Sequence, residues 1–209
     1  MKILVLGATG GTGKAIVKEA QAAGHEVVAL VRSKEKATAL APAQLLVGDV
    51  RDEKTLEAAL QSVEAVISSL GTPMSPFKEV TLLSTATQSL MRAMRGKGVR
   101  RLIAITGMGA GDSKGHGGFL YDRLFNPLML RKVYEDKDRQ EAIVRASDLD
   151  WTLVRPSVLN DKPPHGNIQV LTDLSNFHGG EIARADVAKF VVGQLADKQY
   201  LRKAPLISW

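Results

Sequence analysis

Seven residues constrain this chain most: Gly7-Ala8-Thr9-Gly10-Gly11-Thr12-Gly13, set between the apolar run Lys2–Leu6 and a stretch of helical pattern from Lys14 to Ala23. A strand, a glycine-rich turn and a helix in that order are what a dinucleotide site needs. Gly7 lets the chain turn tightly off the strand, Gly10 lets backbone approach a pyrophosphate, and Gly13 lets the helix pack on the strand; Gly11 belongs to the same cradle. Thr9 and Thr12 offer hydroxyl donors, and the unpaired N–H groups and positive dipole end of the helix face the phosphates. A glycine spacing by itself is weak evidence. Here it has its context, with a strand before, a helix after and a second apolar run, Glu26–Val31, soon beyond.

The rest of the chain repeats this rhythm. Ser33–Ala41 reads as a short helix and Leu45–Val47 as a strand; Asp52 caps a helix to about Leu60, and Ala65–Ser68 is the next strand. Ser75-Pro76 starts a long helix to about Arg95, since proline suits a first helical position, and Gly96 and Gly98 stop it. Beyond strand Arg101–Ile105 come a glycine-rich loop from Gly107 to Gly118, a helix from Lys132 to Ser147, strand Trp151–Val154, and a helix from Ala185 to Ala196 capped by Asp186 or a neighbour. Strands and helices alternating at these lengths predict an α/β fold, a Rossmann-like doubly wound parallel sheet flanked by helices, in one domain over residues 1–209.

A length of 209 residues allows a substantial core. There is no cysteine, which removes disulfides, thiol catalysis and thiolate-bound zinc. His25, His116, His165 and His178 do not fall in metal-ligand spacing, so no metal is expected. No run of about 18 apolar residues is present, and the first apolar run is short and leads straight into the glycine turn; neither a span nor a signal peptide is expected, and the cytoplasm is the default compartment. A formal net charge of +6 raises nucleic acid as a partner. The densest basic group, however, Arg92, Arg95, Lys97, Arg100 and Arg101, surrounds one helix end, where cations are favoured, and no nucleic-acid motif accompanies it. A basic balance also suits a polyanionic cofactor.

The end of the second strand selects the dinucleotide. An acid there hydrogen-bonds a ribose 2′-hydroxyl and selects NAD, whereas a basic residue pairs with a 2′-phosphate and selects NADP. Val31-Arg32-Ser33-Lys34 has no acid; Arg32 is a bidentate phosphate partner and Ser33 a hydroxyl donor. Gly48-Asp49-Val50 ends the third strand, where Asp49 and Val50 meet the adenine, and Ser69-Leu70-Gly71-Thr72 ends the fourth at the switch-point crevice.

On Gly7–Gly13, Val31-Arg32, Gly48-Asp49-Val50, Leu70-Gly71-Thr72, Lys137 with Glu141, Asp150–Pro156 and Ile182–Ala188, almost the whole chain resembles the atypical short-chain dehydrogenase/reductase superfamily, in its NAD(P)H-binding branch with NmrA-like regulators. Within it the chain looks most like the NADPH-dependent flavin and biliverdin reductases. The resemblance implies NADP(H) as cofactor, a flavin (FMN or riboflavin) or a tetrapyrrole such as biliverdin as acceptor, and a monomer or weak homodimer.

The departures from the pattern matter. Most of these dehydrogenases pair a tyrosine with a lysine four residues on, plus a serine. Lys137 stands at the lysine place and Val133 at the tyrosine place; Tyr134 is one position off, about 100° around the helix. Gly107, preceded by Thr106, holds the serine place. Carbonyl reduction thereby loses its usual general acid, whereas hydride transfer to a flavin ring, already electrophilic, does not need one. Thr106 and Lys137 remain the catalytic candidates. Thr106, Met108, Phe119, Tyr121 and the turn Pro156-Ser157-Val158 are candidates to line the nicotinamide and acceptor side, with Pro156 and Val158 supporting the carboxamide through backbone groups. His116 or His165 is a candidate to bind or protonate substrate, and Leu120 to Leu130 reads as core packing, with a substrate lid or an oligomer contact as the alternative. The displaced tyrosine also fits a second class, the NmrA-like proteins that bind NADP(H) to sense redox state or to assemble or regulate a protein partner.

Overall fold

The structure is a computed structural model that describes residues 1–40, 43–73, 78–116 and 130–209. Its first half comprises β1 (Lys2–Leu6), α1 (Gly11–Ala22), β2 (Glu26–Val31), a 3-10 turn (Glu35–Leu40), β3 (Gln44–Val47), α2 (Glu53–Ala59), β4 (Ala65–Ser68), α3 (Leu82–Lys97) and β5 (Arg101–Ile105). Then follow α4 (Arg131–Arg145), β6 (Asp150–Pro156), β7 (Val158–Asn160), β8 (Gln169–Leu171), β9 (Glu181–Ala183), α5 (Arg184–Gly193) and β10 (Leu206–Ser208). The main sheet has the order β3-β2-β1-β4-β5-β6-β10-β8. Its pairs are parallel except β10 with β8. The order reverses between β1 and β4, so the connections leaving their carboxyl ends diverge and open a crevice.

β1 shows why the chain forms a two-sided sheet. Successive side chains of a strand point to opposite faces. Ile3 and Val5 pack with Ile16 and Val17 of α1 and with Val187 and Val191 of α5. Leu4 and Leu6 join Leu56 of α2, Leu90 and Met94 of α3, and Val144 of α4 on the other face. A sheet covered on both sides needs continuous apolar strands, and β1, β2 and β4 supply them.

Three elements depart from the local signals. The short helix expected at Ser33–Ala41 is a 3-10 turn. The long helix does not start at Ser75-Pro76, which lie outside the described residues; residues 78–81 are non-helical and the first helical residue is Leu82. A tertiary partner fixes that start. Asp136 of α4, fully buried, accepts hydrogen bonds from the Leu83 N–H at 2.7 Å, the Ser84 N–H at 3.3 Å and the Ser84 hydroxyl at 2.5 Å. A carboxylate at the positive end of α3 thus satisfies donors that no local side chain caps. Likewise, Asp186 does not cap α5. It accepts from the N–H groups of His165 at 2.9 Å and Gly166 at 3.0 Å, and from Trp209 Nε1 at 2.8 Å. Among the described residues no helix is long and apolar enough to cross a membrane.

Candidate functional site

Two cavities open along the carboxyl ends of the strands. The first, of about 420 Å³, is lined by Gly7, Thr9 to Gly13, Arg32, Gly48 to Arg51, Ser69 to Gly71, Leu82 and Arg184. Its shape depends on two glycines. Gly7 has φ +77°, and a Cβ there would fall 2.3 Å from the Ser69 carbonyl oxygen; a Cβ on Gly13 would fall 2.1 Å from the Gly7 carbonyl oxygen. The helix α1 can approach β1 only without that atom. Gly13→Ala is therefore expected to cost at least about 1–3 kcal/mol through overpacking against backbone. The urea-unfolding midpoint measures this, and an unchanged midpoint would refute the close approach.

Helix α1 starts with no side-chain cap, so its first N–H groups remain open to a ligand in the groove. Above them lies Arg184, whose Nε is 3.0 Å from where a Gly11 Cβ would sit. Asp161 holds that guanidinium at 2.9 Å. At the far end, Arg51 donates to Asp49 through Nε at 3.0 Å and Nη2 at 2.5 Å. These bonds hold the Asp49 carboxyl well below the ordinary range, at about 2. Within the protein, then, the partner of Asp49 is Arg51. Ser33, expected to face this groove, does not line it, and its hydroxyl donates to Glu35.

The second cavity, of about 350 Å³, shares Thr12, Ser69, Leu70 and Gly71 with the first. Thr72, Ile105 to Met108, Leu130, Val133, Tyr134, Lys137 and Pro156 to Leu159 complete its mainly apolar lining. Helix α4 presents both Val133 and Tyr134, so the one-position offset does not carry the tyrosine away. Its hydroxyl, however, donates to the Met108 carbonyl at 2.6 Å. Lys137 donates to the Thr106 carbonyl and stands 4.9 Å over the Tyr134 ring. Burial pushes its ammonium down to about 8, with the Glu141 carboxylate pulling the other way. Among the described lining residues of this cavity Lys137 is the sole cation.

Beneath the cavity the polar groups close on one another. The Thr106 hydroxyl donates to Glu141 Oε1 at 2.8 Å. The buried Arg155 guanidinium donates to Glu141 Oε1 at 2.9 Å and Oε2 at 2.5 Å, and pairs with Asp112 at 2.5 Å.

The turn Pro156-Ser157-Val158 reaches the cavity, but its polar groups are spent within the protein. The Pro156 carbonyl accepts from the Met108 N–H at 3.0 Å, the Val158 N–H donates to Gly180 at 3.1 Å, and the Ser157 hydroxyl donates to Ser208 at 3.0 Å. The Val158 N–H is thus engaged within the protein, and the Val158 side chain, half exposed, lines the cavity. Neither His116 nor His165 lines either cavity. His116 Nδ1 lies 3.3 Å from the Phe177 carbonyl, and the His165 ring stacks on Trp209 with centroids 3.7 Å apart. Phe119, Tyr121 and the segment 120–129 lie outside the described residues.

Sequence reasoning brought Gly7, Thr9, Gly10, Gly11, Thr12, Gly13, Arg32, Asp49, Val50, Leu70 and Gly71 into the first groove, and Thr106 and Lys137 into the second cavity. It missed Arg51 and Arg184. Arg51 was readable, two residues past Asp49 in the same strand-end turn; Arg184 reaches Gly11 only through the packing of α5 beside α1.

A parallel sheet with a glycine turn, a basic strand end and a lined crevice at its switch point defines a Rossmann dinucleotide-binding protein. A family profile described as NAD(P)H-binding matches residues 7–198, and the chain belongs to that family. It is 28% identical over 210 residues to the uncharacterized sugar epimerase YhfK of Bacillus subtilis, with 98% of this chain and 92% of the relative covered. The photosystem II assembly factor Ycf39 of Guillardia theta is 29% identical over 223 residues, covering 100% of this chain and 66% of the relative. Among solved structures, ChuY, an anaerobilin reductase from Escherichia coli O157:H7, superposes with a TM-score of 0.82 at 25% identity, covering 100% of this chain and 97% of that one.

Proposed function

We propose that this protein is an NADPH-dependent reductase whose acceptor is a planar conjugated ring system, either a flavin such as FMN or riboflavin, or a tetrapyrrole related to biliverdin. The observation that carries this reading is the continuity of a groove lined by Arg32 with a mainly apolar cavity in which Lys137 is the sole cation among the described lining residues, the two meeting at Thr12, Ser69, Leu70 and Gly71. The groove fits NADP(H). The glycine turn and α1 offer N–H groups to the pyrophosphate together with Thr9 and Thr12, Arg32 offers its guanidinium to the 2′-phosphate, and Asp49 with Val50 flanks the adenine end. Leu70, Gly71 and Thr106 edge the nicotinamide end. NADPH supplies the hydride when bound. The chain's part is to hold acceptor and cofactor rings in contact between apolar walls and to set the Lys137 charge beside them. The Tyr134 hydroxyl is committed to Met108, which counts against carbonyl reduction and favours an acceptor that is electrophilic already. The likeness to ChuY supports the tetrapyrrole arm.

The test is NADPH oxidation by the pure protein with FMN, riboflavin and biliverdin, with NADH alongside. Turnover of at least one acceptor with a preference for NADPH is expected. Arg32→Ala should then raise KM for NADPH about 10-fold or more, the worth of a charge-assisted contact, with little change for NADH. Equal losses for both would remove Arg32 from the 2′-phosphate. Tight NADPH binding without turnover of any acceptor would favour the second reading, a non-catalytic NADP(H)-dependent sensor or assembly protein, which the likeness to Ycf39 supports.

A further inference from the structure

The adenine end of the groove contains a charge arrangement that Arg32 alone does not explain. Three charged side chains line it, Arg32, Asp49 and Arg51, and the sum is one net positive charge. A ribose 2′-phosphate brings between one and two negative charges near neutral pH. Asp49, at the adenine end, would repel it. Arg51 removes that conflict. Its guanidinium forks onto both oxygens of Asp49, at 3.0 and 2.5 Å, and among the described residues its N–H groups beyond those two bonds have no other hydrogen-bond acceptor. Its backbone is fixed from both sides, since its N–H donates to Asp49 Oδ1 at 2.9 Å and its carbonyl accepts from the Ser89 hydroxyl of α3 at 2.8 Å.

We propose that Arg51 is a specificity-determining residue, neutralising the Asp49 carboxylate near the 2′-phosphate and serving with Arg32 as the second cation for that phosphate. The assignment rests on the NADPH reading given above. It makes the NADPH preference a property of Arg32 and Arg51 together, with the Asp49 charge offset by its ion pair to Arg51. It also accounts for Arg51 standing in the turn that ends β3, on the groove side, although more than half of its side chain is exposed and the ion pair adds little to stability.

Dissociation constants for NADPH, NADH and 2′,5′-ADP, measured by calorimetry on the wild type, Arg51→Ala, Asp49→Asn and the double variant, test it. Arg51→Ala should weaken NADPH and 2′,5′-ADP by about 30-fold or more, because a cation is lost and a bare carboxylate is left beside the phosphate. NADH should hold. Asp49→Asn added to Arg51→Ala should recover at least about 5-fold of the NADPH loss, a coupling that a merely structural role would not produce. Equal weakening of NADPH and NADH in Arg51→Ala, or no change in either, would overturn the assignment while a wild-type preference for NADPH leaves the cofactor reading standing. A wild type that binds NADH as tightly as NADPH would overturn both.

Discussion

Glu141→Leu should destabilise the protein by about 3–5 kcal/mol, seen as a lower urea midpoint. The side chain is 2% exposed and neutralises Arg155, which is 1% exposed, through two hydrogen bonds. Without it, Arg155 keeps among the described residues only the Asp112 carboxylate, exposed and weakened by water, and a buried guanidinium is left partly uncompensated. Thr106 loses its acceptor in the same step. The loop is moulded to the pair as well: a Cβ at Gly111, which has φ +55°, would meet Arg155 Nη2 at 2.5 Å and Glu141 Oε2 at 2.7 Å. Two further variants separate charge from shape. Glu141→Gln should lose less than the leucine variant, and Glu141→Leu combined with Arg155→Leu should recover part of the loss, because apolar replacement of both partners removes the orphan charge. A leucine variant within about 1 kcal/mol of wild type would mean that Arg155 is hydrated in solution, and the network would lose its structural role.

That network shows where the sequence stops being legible. The glycine turn, the strand–helix alternation and Arg32 are local signals. Each depends on residues within one turn or one strand end, and the structure places them as expected. Glu141 and Arg155 are ordinary charged residues in sequence, on a helix and on a strand, and only packing α4 under β6 turns them into a buried pair. The start of α3 fails for the same reason. Pro76 is a sound local signal, but the acceptor for the first N–H groups of that helix is Asp136, from a helix more than fifty residues later. The turn at Pro156 was legible in position and not in chemistry, since Met108, Gly180 and β10 take up polar groups of the turn from afar. Long-range partners of short strands carry no periodicity of their own, and β8 and β10, of three residues each, fall below any pattern.

On the proposed reductase reading, function and stability pull apart at Lys137: Lys137→Met should lower kcat by about 100-fold or more, through the lost positive charge beside the ring that gains hydride, without loss of stability. The lysine sits at the apolar cavity with its ammonium on the Thr106 carbonyl, beside a tyrosine whose proton is already engaged. Among the described lining residues it is the group that can bring positive charge to an acceptor that would gain hydride on that reading. Burial holds its pKa at about 8, against an ordinary 10.5. Wild-type kcat should therefore fall as pH rises through about 8, where the charge is lost, and the methionine variant should show a low, flat profile over the same range. Stability runs the opposite way. Between about 8 and 10.5 the unfolded chain keeps a proton that the folded protein has released, so wild-type stability contributed by this group rises with pH across that window. Methionine carries no such proton and removes the buried charge, so its stability should lack that rise and stand no lower than wild type near pH 7. A methionine variant with wild-type kcat, or one that retains the fall above pH 8, would assign the titration and the rate to another group and leave Lys137 a structural contact of the Thr106 carbonyl.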